Sequence, residues 1–153
     1  MSVRMELSRI FIRELTDVQI IELTEAGGER NFPIVIGLPE AAAIERRLKG
    51  TEVARPQTHD LLASVIRHLG GKLLRIDIHD LSAGTFYANI VIERDGEEIA
   101  VDSRPSDAIA LGIAEKVPIF VAESVLEQAA VADAAGAAGE SIVDFDDTDD
   151  DDE

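Results

Sequence analysis

A chain of 153 residues with a 46% apolar fraction suits a single domain with a real hydrophobic core. It contains no cysteine, which excludes disulfides, thiolate metal sites and cysteine nucleophiles. No apolar run approaches the ~20 residues of a membrane helix, and the N-terminal residues carry no signal-peptide pattern, so a soluble, cytoplasmic protein is expected.

The net charge of −17 is unevenly spread. Residues 133–153 hold ten acids and no Lys or Arg, whereas residues 1–132 hold 21 acids and 14 basic groups, a net of −7. The expected organisation is therefore a folded domain over 1–132 and a self-repelling, disordered acidic tail over 133–153. Eleven Arg against three Lys, with abundant acid, resembles a halophile-like composition, since high salt shortens the range of surface repulsion.

In chain order, residues 6–14 read as a strand, Thr16-Asp17 as a turn and residues 18–24 as a second strand. Residues 26–30 read as a hairpin loop and Phe32 to Ile36 as a short buried strand. A helix follows through Lys49, with Ala41, Ala42, Ile44 and Leu48 expected inward. A second helix is expected from Pro56 to Leu69, with a stripe of Leu61, Leu62, Val65, Ile66 and Leu69, ended by Gly70-Gly71. Lys72 to Asp80 and Thr85 to Arg94 read as strands, Asp95-Gly96 as a hairpin turn, and Glu98 to Asp102 as the return strand. A helix from Pro105 to Glu115, a strand at Pro118 to Val121 and a helix from Glu123 to Ala132 complete the pattern. The fold class is α+β, with antiparallel or mixed strands and internally duplicated strand–helix units in one compact domain.

Two segments concentrate chemistry: Arg55-Pro56-Gln57-Thr58-His59-Asp60 and Asp102-Ser103-Arg104-Pro105-Ser106-Asp107. Each places a guanidinium, carboxylates and hydroxyls beside an Arg-Pro pair where a helix is expected to begin, since proline suits the first helical position. Together with Gly84-Thr85-Phe86-Tyr87-Ala88 and Val117-Pro118-Ile119-Phe120-Val121, they resemble the bifunctional nuclease domain family across about residues 5–130. That resemblance implies an internally duplicated α+β fold and cleavage of both DNA and RNA.

Phosphodiester hydrolysis needs an activated water and charge neutralisation on phosphoryl oxygens, which divalent metals can supply. Asp102, Asp107, His59 and Asp60 are the candidate catalytic residues. Asp102 and Asp107 are candidate ligands for Mg²⁺ or Mn²⁺, which prefer oxygen donors. Asp77 and Asp80 are further carboxylates, with His79 beside them. Arg55, Arg104 and Ser106 are candidate substrate-binding residues, the arginines as bidentate phosphate clamps. His59 suits general acid–base work because imidazole titrates near neutrality.

Plainer roles compete with each assignment. Asp107 in a first helical turn is favoured by the macrodipole alone. Asp102 and Ser103 can satisfy free amides at a helix start. The arginines can pair with the acids and brace the two helix starts, and Asp77, His79 and Asp80 can form a solvated strand end. No basic cluster stands out beyond Arg46-Arg47-Lys49, although nucleic-acid binding normally comes with a basic footprint. Two readings follow: a metal-dependent nuclease, or a non-catalytic binding and assembly module. In the second, the Arg-Pro starts are structural, and strand edges or the Ala41/Ala42/Ile44 face build a homo-oligomer.

Overall fold

A computed structural model describes residues 1–13 and 15–129; the acidic stretch over 133–153 and the expected helix end at Ala132 lie outside the described residues. β1 (Ser2–Phe11), β2 (Gln19–Glu25) and β3 (Asn31–Ile36) form an antiparallel meander, followed by α1 (Leu38–Lys49). After α2 (Thr58–His68), β4 (Lys72–Ser82), β5 (Thr85–Arg94) and β6 (Glu97–Ser103) form a second meander, followed by α3 (Pro105–Glu115). β7 (Ile119–Ala122) then enters between the halves, antiparallel to β1 and parallel to β4, giving the order β3-β2-β1-β7-β4-β5-β6. Residues 123–129 are helical. The duplicated unit is thus a three-stranded meander plus a helix. β3, with Pro33, corresponds to β6: each is the last strand of its meander and leads into a helix.

The core fills the space between the sheet and the helices. Met5, Leu23, Phe32, Ile76, Ile78, Ile109 and Leu111 are fully buried in it. β1 starts four residues earlier than its sequence pattern suggests, because Ser2 to Met5 gain ladder bonds from β7, a partner remote in sequence. Register shifts in β4 between Leu73 and Arg75 and between Ile78 and Asp80 interrupt the alternation. The inward set is therefore Leu73, Ile76 and Ile78.

α3 lies close on β4. A Cβ built on Gly112 would sit 2.8 Å from Ile76 Cγ1, so this glycine sets how near the helix approaches and where its first turn sits. Two expected helix faces need correction. On α1 the buried set is Ala41, Ala43 and Ile44, while Ala42 and Leu48 are exposed. On α2, Ala63 is buried and Ile66 partly so, but Leu61, Leu62, Val65 and the C-cap Leu69 are exposed. The inward face of α2 is chosen by its first-turn ion pairs and the close packing of Ala63, and the hydrophobic stripe is left on the outside.

Candidate functional site

The first turns of α2 and α3 meet beside α1, and the two starts are built in different ways. α3 follows the expected plan: Arg104 is the N-cap in extended geometry and Pro105 opens the helix. α2 does not. Pro56 lies outside it and Gln57 is the N-cap. Asp60 Oδ2 accepts the Gln57 backbone N–H at 2.9 Å, completing a capping box. The helix starts where its free amides find acceptors, two residues beyond the proline.

Asp60 also braces α2 against α1. Its Oδ1 accepts a 2.7 Å bond from Arg47 Nη2, and Arg46 Nη2 lies 3.8 Å from its Oδ2. The Arg47 side chain is almost wholly buried, and its Nη1 donates to the Ala43 carbonyl at 3.3 Å. Burial lowers the Arg47 pKa, against the pull of the Asp60 charge. Asp60 thus has both oxygens engaged in bracing.

Asp107 forms the second junction. Its Oδ1 lies 3.0 Å from His59 Nε2 and its Oδ2 accepts a 2.9 Å bond from Arg104 Nε. Arg104 Nη2 donates in turn to Glu40 Oε2 of α1 at 2.9 Å. Burial pushes the Asp107 carboxyl upward, but the hydrogen bonds from Arg104 and His59 outweigh it and hold it below its ordinary value. The contacts with Asp107 and then Glu40 raise the Arg104 pKa. An ionised Asp107 is acceptor-only, so His59 donates its Nε2–H. Nδ1 has no hydrogen bond among the described residues, and in the neutral tautomer that donates Nε2–H it carries the lone pair.

These groups line a groove of about 400 Å³ that includes Glu40, Arg46, Thr58, His59, Arg104 and Asp107. The other sequence candidates fall elsewhere. Arg55 is exposed and in no ion pair among the described residues; Asp102 is exposed on β6 and lines neither groove beside Arg104. No group of three or more His, Asp or Glu suited to a metal occurs among the described residues. Asp77 is paired with Arg75 and Asp80 Oδ1 accepts the Leu81 N–H. Ser106 lines a second groove on the far side of Arg104. Sequence reasoning missed Glu40 as part of the site. Its signal was an acid in a first turn next to Pro39, the same pattern as Pro105 and Asp107.

The arrangement defines an α+β domain whose helix starts present an Asp–His pair flanked by guanidinium groups. The chain belongs to the bifunctional nuclease domain family, whose model matches residues 21–134. It is 46% identical over 110 residues to the uncharacterized protein Rv1829 of Mycobacterium tuberculosis, covering 72% of this chain and 65% of that protein. It is 27% identical over 109 residues to bifunctional nuclease 2 of Oryza sativa subsp. japonica, covering 69% of this chain and 34% of that protein. The chain thus spans just under two thirds of the mycobacterial protein and a third of the rice one. No helix among the described residues is long and apolar enough to cross a membrane.

Proposed function

We propose that the groove is the active site of a nuclease that hydrolyses phosphodiester bonds of DNA and RNA. The observation that carries this reading is the 3.0 Å His59–Asp107 contact in a groove rimmed by Arg46 and Arg104. Asp107 orients the imidazole and stabilises its protonated form. His59 Nδ1 takes a proton from water as the water oxygen bonds to phosphorus; the P–O bond to the leaving group breaks, the leaving oxygen takes a proton from solvent, and His59 returns its proton to solvent. Arg104 and Arg46 neutralise the non-bridging oxygens. Water as nucleophile makes the ribose 2′-hydroxyl dispensable, which is what action on both polymers requires.

No step here uses a metal. Each Asp107 oxygen accepts one hydrogen bond and keeps a second lone pair, so Asp107 is the residue that would hold a Mg²⁺ or Mn²⁺ ion, which would add charge neutralisation at the phosphate. The test is cleavage of plasmid DNA and unstructured RNA by the purified chain, with and without chelator, beside His59→Ala and Asp107→Asn. A loss of about 100-fold or more in both variants is expected. Equal background cleavage by all three proteins overturns the proposal.

A second reading, assembly with another copy of the chain, has its own observation and is compatible with the first. The face expected for it, Ala41/Ala42/Ile44, is not available, because Ala41 and Ile44 are 0% exposed within the fold. Instead Leu61 of α2 and Leu69 at its C-cap are 55% and 63% exposed, with Leu62 and Val65 between them. On edge strand β6, Ile99 and Val101 are exposed too; Val101 pairs with Ile90 and Ile90 with Ile76, so it projects to the core-facing side of the sheet. Six such side chains expose several hundred Å² of apolar surface, on the order of half of what each partner buries in a stable interface. A two-fold axis brings identical patches together. Light scattering of wild type and Leu69→Glu tests this: a concentration-dependent dimer lost in the variant is expected, and a wild-type monomer at all concentrations removes it.

A further inference from the structure

We infer that the second groove, across Arg104 from the His59–Asp107 pair, holds a phosphate group of the polynucleotide bound in the first. The groove has a volume of about 410 Å³, and its lining includes Pro33, Val35, Thr85, Phe86, Arg104 and Ser106. In a chain of net charge −17, no carboxylate lines this groove among the described residues; Arg104 is the one charged residue of its described lining. That is the opposite of the surface average, and it fits an anion.

The start of α3 supplies donors there. The first intrahelical bond runs from the Ala108 N–H to the Arg104 carbonyl at 3.1 Å, so the amides of Ser106 and Asp107 precede the helical ladder and have no acceptor within it. No side chain caps this end. Ser103, placed to do so, instead donates its hydroxyl to the Arg104 carbonyl at 2.8 Å. Helix starts with free amides favour phosphate oxygens.

Ser106 is an independent second observation. It is only 6% exposed, it lines the groove, and its hydroxyl has no hydrogen-bond partner among the described residues. The hydroxyl oxygen itself keeps contact with solvent, so on an otherwise enclosed side chain it faces the groove, where it can donate to an oxygen acceptor. Arg104 contributes again: Nε and Nη2 are committed to Asp107 and Glu40, and Nη1 is uncommitted. The Pro33, Val35 and Phe86 wall offers apolar surface to the adjoining sugar or base. A strand crossing Arg104 would then set one phosphate at His59 and a neighbouring one at Ser106.

That the phosphate belongs to a polynucleotide rests on the nuclease reading; that the groove binds phosphate does not. The experiment is an amide-resolved NMR titration of the whole chain with inorganic phosphate, and separately with a short non-cleavable single-stranded oligonucleotide. Saturable shifts at the Ser106 and Asp107 amides are expected with both ligands. Ser106→Ala is expected to weaken phosphate binding about tenfold, as for one hydrogen bond to an ionic oxygen, with Thr85→Val as a second, exposed-site variant and Arg55→Ala as an unaffected control. In cleavage kinetics Ser106→Ala is expected to raise KM with kcat unchanged. Absence of saturable phosphate shifts at these amides, or wild-type phosphate affinity in folded Ser106→Ala, overturns the site. Ser106-dependent phosphate binding without oligonucleotide binding overturns the polynucleotide assignment alone. Phosphate binding by a chain that cleaves nothing supports the site and sinks the nuclease reading.

Discussion

Two Arg-Pro segments, alike on paper, do different work. At Arg104-Pro105 the proline is the first helical residue, and the arginine before it is the N-cap, paired with Asp107 and Glu40. At Arg55-Pro56 the helix starts only after Gln57, and Arg55 is exposed and outside every ion pair among the described residues. The dipeptide permits a helix start in both places. What selects it is where the free amides find acceptors: Asp60 closes a capping box on Gln57, which moves the α2 start past the proline. The consequence reaches the site, since the shifted start puts His59 in the first turn, within reach of Asp107.

The comparison is broken most directly by removing each arginine. Arg104→Ala is expected to reduce kcat/KM about 10- to 100-fold, because it removes a phosphate clamp and the orienting partner of Asp107. Arg55→Ala is expected to change it less than about twofold, since surface changes away from such contacts are near neutral. Steady-state cleavage kinetics on one oligonucleotide decide it; equal losses would mean that the two segments act alike. At the α2 start, Asp60→Ala is expected to destabilise the fold by about 2–4 kcal/mol in urea unfolding. It removes a cap and strands a buried Arg47 guanidinium. A loss under ~0.5 kcal/mol would reduce Asp60 to a surface charge.

The smallest expected effect is in the acid range. Asp107 titrates below its ordinary value in the folded chain, so the unfolded chain binds its proton first as pH falls. Its contribution to stability is complete above the ordinary aspartate value of about 3.9, and it fades as pH drops through that value toward the lower folded one. Asp107→Asn should flatten the Tm profile in this window. An unchanged acid slope in the variant would show that Arg104 and His59 do not hold the carboxyl.

Much of the fold was legible from local pattern. The β4–β5–β6 meander followed from alternation and the Asp95-Gly96 turn, and α3 from Pro105 and the residues after it. The inward faces of α1 and α2 were not legible, because periodicity marks a stripe without saying whether a partner exists to cover it. Leu61 and Leu69 make the point: both belong to the apolar stripe of α2, and both are exposed. At the site, His59, Asp107, Arg104 and Ser106 were legible as residue types that helix starts and phosphate chemistry both use. Asp102 and Arg55 looked equivalent to them, and Glu40 did not look involved at all.

By itself, then, the sequence determined the α+β class, the repeated strand–helix organisation, the concentration of charge after residue 132 and the short set of polar residues from which a site is drawn. Local alternation, turn residues and composition act over a few positions and are read directly. Only the tertiary structure decided that His59 meets Asp107, that Asp60 is engaged in bracing Arg47, and that Arg104 stands between two grooves, one mixed in charge and one without a carboxylate among its described residues. Those outcomes depend on contacts between residues 13 to 64 positions apart, and such contacts are settled by how closely helices such as α3 can approach the sheet.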